Sequence, residues 1–176
     1  MPFTTYDSPL GPLTLVGGPL GLSRLAFAGR APALAADDRD DAPFGDAIAE
    51  LDRYFAGAAR DLAVRLDLDG TPFQRLVWDA VGRIPYGART TYGALAREVG
   101  ALRSRGVPEV RAVAAAVAAT PVPIVIPCHR IVAANGALTG YSGGLQLKSA
   151  LLAFEASGGR HLASLAGWPA QQLALC

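Results

Sequence analysis

The residues of this chain best suited to chemistry stand together at Pro127-Cys128-His129-Arg130. A cysteine attacks as its thiolate, so a nucleophilic Cys128 needs a base or a positive neighbour to take its proton or stabilise its charge. His129 is the next residue, but adjacency is not contact. The preceding Pro123-Ile124-Val125-Ile126-Pro127 is too short for a helix and is bracketed by prolines, so it reads as an extended buried segment that delivers Cys128 to a fixed place. Successive side chains of an extended segment point to opposite faces. A direct Cys128–His129 hydrogen bond is therefore not expected, and a water or a turn must intervene. A base in such a relay needs a third group to orient it, and Glu155 is a candidate. Taken singly, each residue has an ordinary explanation: a cysteine as a small apolar filler, a histidine with satisfied hydrogen bonds, a glutamate on a solvated helix face. Their combination points to chemistry, because a proline-bracketed segment is a costly way to hold an inert thiol.

The elements that must position these groups fall into two parts. Residues 4–16 alternate apolar and polar around Gly11-Pro12, and residues 22–27 do the same after a glycine-rich turn, which predicts short antiparallel strands. Residues 28–43 read as a surface loop, residues 45–58 as a helix, and Val64–Leu68 as a further strand. Asp69-Gly70-Thr71-Pro72 is a turn and a domain boundary, dividing a small α/β domain, residues 1–70, from a mostly helical domain, residues 71–176. Thr71 and Pro72 start a helix as N-cap and first residue, with its apolar stripe running from Phe73 to Ile84. Thr91 caps a helix over Tyr92–Val99 that Gly100 stops, and Glu109–Ala119 forms another. Two short helices joined by a turn, with Arg89, Arg97, Arg103, Arg105 and Arg111 around them, fit either a helix-turn-helix or an ordinary helical hairpin. Asn135-Gly136 marks a turn, Gly140, Gly143 and Gly144 a loop able to pass close to a ligand, and Leu145–Ala156 an amphipathic helix carrying Lys148 and Glu155.

Composition narrows the functional classes. Of 176 residues, 51% are hydrophobic and 18% charged, which predicts a real core rather than disorder. No apolar run approaches the roughly 18 residues of a membrane span, and the start has no basic segment followed by an apolar stretch, so a cytoplasmic protein without a membrane partner is expected. The two cysteines, Cys128 and the terminal Cys176, are not expected to form a disulfide. With so few cysteines beside the two histidines His129 and His161, no zinc site is expected, and no metal. The net charge of +1 conceals an uneven distribution: fifteen arginines and one lysine, with acidic residues leaning to the first half.

The run from Pro121 to Val132, then Asn135-Gly136, Thr139-Gly140-Tyr141-Ser142-Gly143-Gly144-Leu145, Lys148, Leu151-Leu152 and Glu155, resembles the O6-alkylguanine-DNA alkyltransferase family. The likeness extends upstream through Thr71-Pro72-Phe73-Gln74, Val77-Trp78, Ile84-Pro85-Tyr86-Gly87, Thr91-Tyr92-Gly93, Leu95-Ala96 and Arg111-Ala112-Val113, and covers roughly residues 71–156. It implies a ribonuclease H-like α/β N-terminal domain, a small antiparallel sheet plus helix, followed by a mostly α, winged helix-turn-helix-like domain. It implies irreversible, single-turnover transfer of an alkyl group from O6-alkylguanine in duplex DNA to Cys128, with O4-alkylthymine a candidate second substrate. No cofactor is implied, because the substrate carries the activated group, and the protein is expected to be a monomer.

By the same resemblance, Cys128 is the alkyl acceptor, His129 its base through a water, and Glu155 the group that orients His129. Tyr92 helps rotate the target nucleotide out of the duplex, and Arg111 fills the space it leaves. Pro123 and Tyr141 line the guanine pocket, Ser142 donates to the guanine oxygen, and the backbone of Cys128 and Ile131 reads the base edge. Tyr92, Gly93, Arg97, Arg111, Ala112, Ala115 and Arg130 are implied to face DNA. The chain departs from the family pattern at Thr120, usually Asn, at Ala114 and Ala115, where Gly is common, and in a longer Ala101–Pro108 loop. The N-terminal zinc ligands of some members are missing. Rival readings are a sensor that binds alkylated DNA with weak or no transfer, a helix-turn-helix regulator, and a cysteine hydrolase. The regulator is disfavoured because Ala114, Ala115, Val117 and Ala118 offer few polar groups to base edges.

Overall fold

A computed structural model describes residues 1–103 and 106–160. Arg105, His161 and Cys176, which entered the reading of the sequence, lie outside the described residues. The chain begins with three strands, β1 (Phe3–Ser8), β2 (Gly11–Gly18) and β3 (Gly21–Phe27), paired antiparallel in the order β1-β2-β3. Their alternation buries Tyr6, Leu13, Leu15, Leu25 and Phe27 on one side, as period-two patterning requires. Helix α1 (Gly45–Phe55) lays Leu51, Tyr54 and Phe55 into the core, and Tyr6 donates to Asp52 at 2.7 Å. The loop before it contains two single 3-10 turns, Ala36–Asp38 and Ala42–Phe44.

Val64–Leu68, expected as a strand, is not one. Only Leu66 bridges Leu22, in parallel, through Leu22 N to Arg65 O at 2.9 Å and Asp67 N to Leu22 O at 3.0 Å. Alternation was present, but the chain meets β3 only at its first residues before leaving for α2, so no ladder can propagate.

The second part opens with α2 (Pro72–Gly82), started by a reciprocal capping box: Gln74 N donates to Thr71 Oγ1 at 3.2 Å and Thr71 N to Gln74 Oε1 at 2.9 Å. Strand β4 (Thr90–Thr91) leads into α3 (Tyr92–Ala101), capped by Thr91 through Ala94 N at 3.2 Å. Gly100 does not stop α3. It lies inside the helix, where a Cβ would come within 2.8 Å of Val107 Cα, so its role is to let the following loop cross closely. Helix α4 (Val110–Ala118) packs on α2 and α3, and the Trp78 indole of α2 donates to Ala116 O at 2.8 Å. Strand β5 (Ile131–Val132) pairs in parallel with β4, tying the start of α3 to the residues just after Arg130.

The last helix, α5 (Leu145–Ala156), has the predicted bounds and one buried face, but that face carries two charged residues as well as apolar ones. It buries Leu147, Lys148, Leu151, Leu152, Phe154 and Glu155. The reason is that the two parts share one core across it: Phe154 meets Tyr54 at 5.5 Å and Phe55 at 6.5 Å between ring centroids, and Phe27 meets Tyr141 at 5.7 Å. Lys148 and Glu155, seven residues apart and hence on one face, both point inward. Among the described residues no helix is long and apolar enough to cross a membrane.

Candidate active site

The segment before Cys128 is a tight turn, not the extended run expected. Ile126 N donates to Val122 O at 2.9 Å, Cys128 N to Ile126 O at 2.7 Å, and Arg130 N to Pro127 O at 2.9 Å. Prolines at 121, 123 and 127 supply no N–H for a ladder, so the backbone satisfies itself locally. Ile124 takes φ of 76°, a left-handed conformation rare for a β-branched residue and costing about 1–3 kcal/mol. Its side chain is 1% exposed, so burial offsets the strain. The product is a single 3-10 turn, Cys128–Arg130, in which all three side chains are buried.

That turn faces the inward side of α5. His129 Nε2 lies 2.8 Å from Glu155 Oε1, and Arg130 donates through Nε to Oε2 at 2.9 Å and through Nη2 to Oε1 at 2.8 Å. Arg130 also donates to Ile84 O at 2.6 Å. This corrects the expectation that Arg130 faces DNA: it is 5% exposed, and its guanidinium is committed to a buried carboxylate and a backbone carbonyl. A buried cation needs such a partner, and Glu155 supplies it.

Electrostatics follow from this packing. Burial alone would raise the Glu155 carboxyl, but hydrogen bonds and charge from His129 and Arg130 outweigh it and hold the group well below the usual range. Burial pushes the His129 imidazole below its ordinary value, against the pull of Glu155. The pair is thus an ionised carboxylate and a neutral imidazole. An anion at Nε2 requires the proton there, so Nδ1 carries the lone pair. His129 Nδ1 is buried and has no hydrogen-bond partner among the described residues. Burial also pushes the Cys128 thiol up to about 11, with Thr120 and Lys148 pulling the other way, so the resting group is a thiol that needs a base.

Cys128 opens into a cavity of about 230 Å³ lined by Val117, Ala118, Thr120, Gly140, Tyr141 and Ser142. Thr120 is buried and donates to Val117 O at 2.7 Å. Lys148, fully buried, donates to Thr139 O at 2.6 Å and so ties the Gly140 loop to α5. The Tyr141 hydroxyl is buried with no partner among the described residues, and burial pushes its phenol well above the ordinary value. Pro123 lines an adjoining cleft of about 370 Å³ that shares Ala118, Thr120 and Ser142 with the cavity. Ile131 is fully buried in β5.

The remaining residues predicted to face DNA lie on α3 and α4. Arg97, Arg111, Ala112 and Ala115 are exposed, while Tyr92 and Gly93 are half-buried. The Tyr92 hydroxyl approaches the Gly140 loop, 3.8 Å from where a Gly140 Cβ would stand. Arg103 of the predicted basic cluster instead packs over Phe73 at 5.2 Å. Two residues that position the site were not singled out as doing so: Tyr54, which read only as part of an apolar helical stripe, and Lys148, which carried no assigned role.

Two family models match the chain. Residues 1–68 match the ribonuclease-like domain, and residues 72–157 the DNA-binding domain, of 6-O-methylguanine DNA methyltransferase. The chain belongs to this family. A methylated-DNA–protein-cysteine methyltransferase from Mycobacterium tuberculosis is 41% identical over 157 residues, covering 88% of this chain and 92% of the relative. One from Methanosarcina acetivorans is 38% identical over 160 residues, covering 89% and 99%. Among solved structures, Mycobacterium tuberculosis OGT in complex with DNA superposes with a TM-score of 0.84 at 39% identity, covering 94% of this chain and 99% of that one. The methyltransferase family therefore embraces both parts of the chain, including residues 1–68, which lie outside the stretch of residues 71–156 that carried the resemblance.

Proposed function

We propose that this methyltransferase-family protein repairs double-stranded DNA by moving the alkyl group of O6-alkylguanine onto Cys128 Sγ, once per molecule. The observation that supports this most is the state of His129: neutral, held through Nε2 by an ionised Glu155, with Nδ1 unpartnered among the described residues, in the same buried turn as a thiol that opens into a cavity of about 230 Å³. The thiol proton passes to His129 Nδ1 through a water, since Nδ1 makes no direct bond to the thiol. The Cys128 sulfur forms a bond to the alkyl carbon as the carbon–O6 bond breaks, and the guanine leaves as an anion. Tyr141 and Ser142 line the cavity, and on this reading Ser142 donates to the guanine oxygen as that charge develops. The proton held by His129 then returns to the guanine, and the thioether remains.

A stacked base cannot reach a buried thiol, so the nucleotide must be extruded at a cost of a few kcal/mol. On this reading Arg111, exposed at the start of α4, fills the gap, and Tyr92, Gly93, Arg97, Ala112 and Ala115 meet the DNA; the exposure of Arg97, Arg111, Ala112 and Ala115 supports it. The relay calls for no residue from a second chain, so a monomer suffices for it, in the compartment that holds the DNA, the cytoplasm.

Incubation with duplex DNA bearing O6-methylguanine should add one methyl group to the peptide containing Cys128, read by mass spectrometry. Tight binding with no mass change would establish the sensor reading instead. Arg111→Ala should slow reaction with the duplex by about tenfold or more while leaving reaction with free O6-benzylguanine near its original rate, because only the duplex must be opened. Equal slowing of both substrates would remove Arg111 from that role.

A further inference from the structure

Glu155 receives more hydrogen bonds than holding His129 requires. Its Oε1 accepts from Tyr54 at 2.8 Å, from His129 at 2.8 Å and from Arg130 Nη2 at 2.8 Å. Its Oε2 accepts from Arg130 Nε at 2.9 Å and from Gly87 N at 3.0 Å. Tyr54 is the donor that comes from the N-terminal domain, 101 residues away in sequence. Its ring is fully buried and fixed by edge contacts to Phe55, Tyr86 and Phe154 at 5.2, 6.0 and 5.5 Å. A buried tyrosine hydroxyl needs an acceptor. Here the acceptor is the oxygen that holds the base of the reaction.

We infer that Tyr54 is a positioning residue for alkyl transfer: its hydroxyl, supplied by the N-terminal domain, shares the charge on Glu155 Oε1 and so sets how strongly Glu155 pulls on His129. The inference rests on the reading of His129 as the base. Three donors divide the charge of one oxygen. Removing one strengthens the attraction to the other two. The imidazolium is then favoured, His129 protonates at a higher pH, and a protonated His129 cannot take the thiol proton. Tyr54 itself does not titrate near neutrality, since burial first and the Glu155 charge second push its phenol well above its ordinary value.

The other groups facing this pair are known. Arg130 stands beside Glu155 on the 3-10 turn, and Tyr86, crossed by Arg60, lies after α2. Lys148 from α5, Arg130 and Tyr141 face His129, with Cys128 next to it in the turn. None of these is altered by deleting the Tyr54 hydroxyl. The N-terminal domain therefore does more than cover α5.

The test is the pH dependence of the reaction of the full chain with excess free O6-benzylguanine, for the wild type, Tyr54→Phe and Tyr6→Phe. Rates are compared only over the pH range in which circular dichroism shows each variant fully folded, so a loss of stability does not imitate a shift of the limb. Tyr54→Phe should move the acid limb up by about half to one pH unit, the size expected of one hydrogen bond to a carboxylate, with Cys128 still the alkylated residue. Tyr6→Phe removes a buried hydroxyl that bonds Asp52 instead, and should leave the limb in place. An unmoved limb in Tyr54→Phe, or an equal shift in both variants, would overturn the inference and leave Tyr54 a packing residue. If the wild type gains no group at Cys128 or shows no acid limb, the His129 relay itself fails, and the inference falls with it.

Discussion

Cys128→Ala should take up no alkyl group and still bind duplex DNA. The loss expected is at least about 10⁶-fold in rate, the low end of enzymatic acceleration, because no other thiol among the described residues faces the cavity. Binding should persist because the exposed face of α3 and α4 is untouched, and the small buried side chain contributes about 1 kcal/mol to stability. Intact-protein mass spectrometry and gel retardation on the same sample check both halves. A variant that still gains mass would show that the acceptor is misassigned. One that loses DNA binding as well would show that the thiol supports the fold of the DNA-facing helices.

The second large effect is expected at Glu155. Glu155→Gln keeps the volume but places an amide against Arg130, His129 and Tyr54, and it leaves a buried guanidinium without its counter-charge. Breaking a buried pair from one side costs about 3–5 kcal/mol, which for a chain of this size lowers Tm by roughly 6–20 °C. Transfer should slow by about 10²-fold, the lower range for a mispositioned general base. Calorimetry and single-turnover kinetics measure the two separately.

The pH dependence of that stability has a definite sign. Glu155 is held low in the folded protein, so its contribution is fully present above its ordinary value of 4.5 and is lost as pH falls below that toward its folded value. His129 is also depressed, by burial, and its contribution is present above its ordinary 6.5 and lost as pH falls below it. Acidification therefore weakens the fold in two stages. The stability gap between wild type and Glu155→Gln should narrow below about pH 4.5. A gap of unchanged size between about pH 5 and pH 3 would mean that Glu155 is not ionised in the fold.

Much of the local architecture was legible because it is encoded locally. Thr71 with Gln74, and Thr91, cap α2 and α3 as their positions predict, since a cap is a contact between residues three apart. Leu145–Ala156 has the bounds its periodicity and flanking glycines imply. Elements that depend on a distant partner were not legible. Val64–Leu68 alternates like a strand but meets too little of β3 to become one. The prolines before Cys128 excluded a helix, yet extended and turned backbones were both open to them, and the sharing of Val122 and Ile126 backbone bonds decided for the turn. Arg130 read as a surface arginine because nothing in its neighbourhood shows that Glu155, 25 residues on, waits to neutralise it.

The chemical inventory is written in the residues themselves: one thiol beside one imidazole in a proline-rich frame, a carboxylate later in the chain, and a helix pair bearing arginines. Tertiary structure decided what that inventory can do. It turned the backbone so that Cys128, His129 and Arg130 share one buried turn, and set Glu155 ionised against a neutral His129. It also brought Tyr54 across from the other domain to the same oxygen. The reason is physical. Helix caps and periodicities arise from interactions within a few residues, whereas a protonation state depends on burial and on every charge within reach, and those are properties of the packed molecule.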